Sequence, residues 1–143
     1  MKETIYSVIG VVGAIVAGAF GGWDSALTTL VIFMCVDYVL GLLLAGVFHK
    51  SQKSKSGKLD SNIGWAGLVK KGVSLLIVLV ACKLDVLIGT TLIKDATVIA
   101  FITNEVLSII ENAGLMGVPV PRAITDAIEV LNKKSEKQDV NSK

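Results

Sequence analysis

Few side chains in this sequence could do chemistry, and those that could stand far apart. The single histidine, His49, lies at the end of an apolar run, with no Cys, Ser or Asp pattern that would make it a catalytic base. Cys35 and Cys82 sit inside apolar runs, where a thiol behaves as a small buried hydrophobe. They show neither metal-ligand spacing nor a disulfide framework, and no glycine-rich phosphate loop or metal motif is present. No catalytic residue, cofactor or metal is therefore expected, and the chain reads as a non-enzyme. What remains is charge in apolar surroundings: Asp37, Lys83, Asp85, Glu105 and Glu111. A charged group at the centre of a membrane helix costs about 2.5–3.5 kcal/mol. Such groups must face a partner helix or water, or change protonation.

The elements that would hold them are four apolar runs, at residues 5–23, 26–48, 72–93 and 96–118. Each is long enough to cross a bilayer. The composition agrees, being 52% hydrophobic and 18% charged. That balance is too apolar for an ordinary soluble domain. A net charge of +2, with no basic stripe interleaved with aromatics, argues against nucleic acid as a partner. The expected fold is all-α: an oligomeric polytopic membrane protein with about four transmembrane helices, three being the alternative count. Residues 1–121 form the membrane domain, and residues 122–143 an amphipathic segment followed by a charged, disordered cytoplasmic tail.

Between the second and third runs lies a Lys- and Ser-rich segment, residues 49–71, carrying Lys50, Lys53, Lys55, Lys58, Lys70 and Lys71. Short basic loops stay on the cytoplasmic side, so this loop and both termini are predicted to be cytoplasmic. Within it, Ser61 to Leu68 reads as a short interfacial turn with Ser61 as its N-cap. In the first run Gly10, Ala14, Gly18 and Gly22 recur every four residues, beside a second row of Gly13, Ala17 and Gly21. Small residues at that spacing let another backbone approach closely. Gly41 and Ala45 continue such a face in the second run. A cleaved leader is the rival reading of the first run, but Lys2 is offset by Glu3 and the second run begins almost at once.

Lys83 and Asp85 interrupt the third run. Two residues apart, they point about 200° apart around a helix, so either the helix is surrounded by protein or water there, or the span bends or ends near Cys82. In the fourth run Asn104, Glu105, Ser108, Glu111 and Asn112 gather on one helix face. This stripe is a candidate pore-lining or subunit-contact surface. The bland alternative is an amphipathic helix or a buried polar contact that only fixes the bundle.

The ordered set GGWD at 21–24, DYVLG at 37–41, the Lys/Ser loop leading to IGWAGLVKK at 63–71, NEVLSIIENA at 104–113 and GVPVP at 117–121 resembles the phage holins of the toxin-secretion/phage-lysis family. The similarity covers nearly the whole chain. It implies a small protein that accumulates in the bacterial cytoplasmic membrane, a homo-oligomer in the lipid bilayer, opening lesions through which an endolysin or a toxin leaves the cell without being specifically bound. Members of that family are often described with three spans. Two other classes fit the residues alone: a small-solute channel or transporter subunit, and a non-pore membrane anchor.

Overall fold

The computed structural model describes residues 1–141, and among them all regular structure is helical: α1 (Lys2–Ala19), α2 (Ser25–Gly46), α3 (Ser61–Ile88), α4 (Leu92–Leu115) and α5 (Arg122–Asn141). Two of these, α1 and α2, are by themselves long and apolar enough to cross a membrane. α3 carries Lys70, Lys71, Lys83 and Asp85, and α4 carries Lys94, Asp95, Glu105 and Glu111.

α4 is the central helix, packed against α2, α3 and α5. The packing follows one stripe per helix. On α2, Leu27, Leu30, Met34, Asp37 and Leu44 are buried, a three-and-four spacing that puts them on one face. On α3 the buried positions are Val78, Ala81, Cys82 and Asp85, and on α4 they are Val98, Ile102, Thr103 and Asn112. Leu27, Leu30, Val78 and Val98 are sealed completely from solvent. They join Phe20, Met34, Cys82 and Ile102 in one apolar cluster toward the α1–α2 turn. The stripes then turn polar toward the opposite end of the bundle.

Helix ends are set by local chemistry. Asp24 caps α2 by accepting from the Leu27 N–H at 2.9 Å. That backbone bond holds the Asp24 carboxyl below the usual carboxylate range, aided by Lys94, whose ammonium donates to it at 2.9 Å. Asp60, one residue earlier than the expected Ser61, caps α3 by accepting from the Asn62 N–H at 2.9 Å. In the intervening loop Gly57 has φ +72, and a side chain there would run into the His49 carbonyl.

Three expectations change. The interfacial turn at Ser61–Leu68 is no separate element, because no residue breaks the helix before the third run. α3 is continuous for 28 residues, about 42 Å at 1.5 Å per residue, and so is longer than a bilayer core. The third run also ends early: Gly89 adopts the left-handed conformation at φ +80 and closes α3 at Ile88, so α4 begins at Leu92 rather than after Asp95. Finally, the charged C-terminal segment is one helix to Asn141. Its Lys, Glu and Gln residues are good helix formers and nothing after Pro121 interrupts them.

α1 stands apart. None of its residues is buried.

Candidate functional site

In the half of the bundle next to the basic loop, the stripes of α2, α3 and α4 bring one cation and two acids together. Lys71 Nζ donates to Asp37 Oδ2 at 2.8 Å and to Glu105 Oε2 at 2.6 Å. The second Asp37 oxygen, Oδ1, accepts from the Asn112 side-chain amide at 3.1 Å. The side chains are largely withdrawn from solvent, with 16% of Lys71, 7% of Asp37 and 13% of Glu105 exposed. Desolvation at that level is costly for lone charges, and mutual hydrogen bonding offsets it.

The depth match is a consequence of helix lengths. Asp37 stands nine residues before the end of α2 at Gly46, Lys71 ten after the start of α3 at Ser61, and Glu105 ten before the end of α4 at Leu115. With α3 antiparallel to the other two, all three lie about 15 Å from the loop-side helix ends at about 1.5 Å per residue. A cavity of about 600 Å³ opens beside them, walled by α2, α3 and α4 and by residues 51–54 and 58–60 of the loop. Tyr38 closes one side of the α2–α3 contact by donating its hydroxyl to the Gly64 carbonyl at 3.2 Å. The network holds two carboxylates and one ammonium, so its net charge is negative when all three are ionised.

The sequence-derived candidates separate into distinct roles. Asp37, Glu105 and Asn112 belong to the network, and Ser108 is half-buried on the cavity wall. Asn104 and Glu111 are exposed on the cavity rim. Lys71, grouped by its neighbours with the basic loop, instead points inward from the third turn of α3; Lys70 is in α3 too, but exposed. One helical step of 100° separates the two. Lys50, Lys53, Lys55 and Lys58 are exposed in the loop. A signal for Lys71 was present: Lys71, Val78 and Asp85 are spaced by seven, which places Lys71 on the buried stripe.

Lys83 and Asp85 part company. Lys83 is exposed, whereas Asp85 is 5% exposed. The Asp85 carboxylate reaches over the α3–α4 turn, accepting from the Thr90 hydroxyl at 2.7 Å and from the N–H groups of Ile93 and Lys94 at 3.0 and 2.8 Å. It caps α4 from outside, where Thr91 makes no side-chain cap. Of the small residues, Ala45 is buried in the bundle and Gly41 lines the cavity. Gly10, Ala14 and Gly18 are exposed on α1, with nothing within 4 Å of a Cβ built at Gly10 or Gly18, but Gly22 leaves the row: α1 ends at Ala19 and Gly22 lies in the turn beyond it at φ +104.

The fold and the site define a class: a helical protein with two helices long and apolar enough to cross a membrane, whose bundle holds a buried network of hydrogen-bonded charges. Comparison places the chain within that class. A family model described as the bacteriophage holin family matches residues 14–133, and the chain belongs to that family. Among similar proteins, an uncharacterised 14.9 kDa protein in the nagH 3' region of Clostridium perfringens is 40% identical over 85% of this chain and 88% of its own length. The uncharacterised protein Lmo0128 of Listeria monocytogenes is 35% identical over 86% and 83%. A probable holin of Bacillus phage phi105 is 34% identical over 79% of this chain and 82% of its own length. No solved structure matches.

Proposed function

We propose that this chain is a holin in the strict sense. Copies accumulate in the bacterial cytoplasmic membrane, α1 to α4 cross it, and their assembly opens lesions that pass a folded endolysin or an exported toxin, with no enzymatic step. The observation that carries this reading is the Asp37–Lys71–Glu105 network in a chain of the bacteriophage holin family. It lets α3 and α4, which bear several charges, enter a bilayer beside α2.

Inducible expression in bacteria tests the proposal. With an endolysin present the culture should clear abruptly. Without it growth should stop but the cells should stay intact. In vesicles, release should extend to folded proteins; release limited to small ions through the 600 Å³ cavity would favour a solute channel, and harmless overexpression would favour an anchor.

On this reading both termini and the loop at 47–60 are cytoplasmic, an orientation supported by Lys50, Lys53, Lys55 and Lys58, which gather in that loop. In a chain with Cys35 and Cys82 replaced by serine, Ser56→Cys should resist a membrane-impermeant maleimide in intact cells and react after permeabilisation. Labelling in intact cells would invert the topology.

The bare α1 supplies an assembly surface on this reading, its small-residue rows meeting a second copy. Gly18 and Val12 are both exposed, and nothing lies within 4 Å of a Cβ built at Gly18. Gly18→Leu should nevertheless delay lysis and reduce crosslinked oligomers, while Val12→Leu leaves both unchanged. Identical behaviour of the two variants would remove α1 from the assembly.

A further inference from the structure

α5 folds back along α4. Ile128 is buried and Leu131 packs against the apolar core. Asn132 and Ser135 share a small hollow with Ala100, Asn104 and Leu107 of α4. Asn104 and Leu107 lie eleven and eight residues before the end of α4 at Leu115, about 12–17 Å in from that end at 1.5 Å per residue. That is the depth of Glu105. At the same level the outer side of α5 presents Glu129, Lys133, Lys134, Glu136 and Lys137, all exposed. A helix with that outer face has no place in hydrocarbon.

We propose that α5 is a latch: it covers α4 in the isolated chain and leaves α4 when α4 enters the bilayer and copies assemble. The inference rests on the spanning arrangement proposed above and adds a closed form to it. In the closed form the Ile128 and Leu131 side chains shield an apolar strip of α4 from water. Displacement returns the charged face of α5 to the cytoplasm and frees that strip for the membrane interior. The joint at residues 116–121 permits the movement: Gly117 has φ +81, and Pro119 and Pro121 keep the segment from continuing α4 as a helix.

The test uses the full chain with Cys35→Ser and Cys82→Ser, and adds Asn104→Cys with Asn132→Cys, both at exposed positions beside the shared hollow. A short thiol-specific crosslinker that dithiothreitol cleaves should join the pair in high yield in dilute detergent and in several-fold lower yield in phospholipid vesicles. Protein crosslinked first and then reconstituted should retain a protein-sized dye until dithiothreitol is added. Equal yields in detergent and vesicles, or release by the crosslinked chain at the uncrosslinked rate, would overturn the latch. If the uncrosslinked chain itself releases no dye, the lesion-forming reading fails, while the two crosslinking yields still decide whether α5 moves.

Discussion

Replacing Lys71 with leucine is expected to lower folding stability by about 3–5 kcal/mol, the usual cost of removing one partner from a buried charge network. The loss comes from what stays behind. Asp37 and Glu105 both point at the position of the ammonium, which bonds them at 2.8 and 2.6 Å, and without it two carboxylates share a site largely withdrawn from water. One would have to take up a proton, or the helices would part to admit water. A leucine fills much of the space but satisfies neither acid. Adding Asp37→Asn and Glu105→Gln to Lys71→Leu should recover most of the loss, since those amides donate as well as accept hydrogen bonds. Thermal unfolding of the purified protein in detergent, followed by far-ultraviolet circular dichroism, measures both steps. A single-variant cost below about 1 kcal/mol, the range of solvent-exposed pairs, would mean that the network is open to water and does not hold the bundle. The neighbouring Lys70→Leu is the control, because that ammonium is exposed.

The second large effect is expected at the opposite end of the bundle. Asp85→Ala removes the acceptor for two backbone N–H groups at the start of α4 and for the Thr90 hydroxyl. Loss of a helix cap costs about 1 kcal/mol and a buried unsatisfied donor about 1–3 kcal/mol, so a drop of about 2–3 kcal/mol is expected. Asp85→Asn should cost less, since its carbonyl still accepts one of the bonds. Lys83→Ala, on the exposed side of the same turn, should change stability by less than about 0.5 kcal/mol. Hydrogen exchange at Ile93 and Lys94 gives the local readout. If Asp85→Ala leaves those amides as protected as in the parent, the carboxylate does not cap α4. The contrast with Lys83 also separates capping from a general effect of charge in this segment.

Helicity and the order of the helices were legible along the chain, because long apolar runs broken by Gly, Asp and Pro report local propensity and burial without reference to neighbours. The apolar first two helices and the part of the basic segment before Ser61 were legible for the same reason, whereas residues 61–71, read as loop, belong to α3. The polar stripe of the fourth run could be read as a pattern, but its members scatter in the structure: Asn112 and Glu105 turn inward while Asn104 and Glu111 stay on the rim. Periodicity gives the angle of a residue around its own axis, not which helix lies opposite or at what depth. Lys71 shows the limit most clearly. In the chain it is the last lysine of a basic segment beside Lys70, and only the continuity of α3 from Ser61, with the packing of α3 on α4, turns one of the two inward between acids 34 residues away on either side. Asp85 is similar, since its partners exist only once Gly89 reverses the chain and brings the first turn of α4 over it. The course of α5 was hidden because its apolar stripe is short and its charges read as a solvated tail. Contact with α4 supplies the burial of Ile128 and Leu131 that local composition alone did not require.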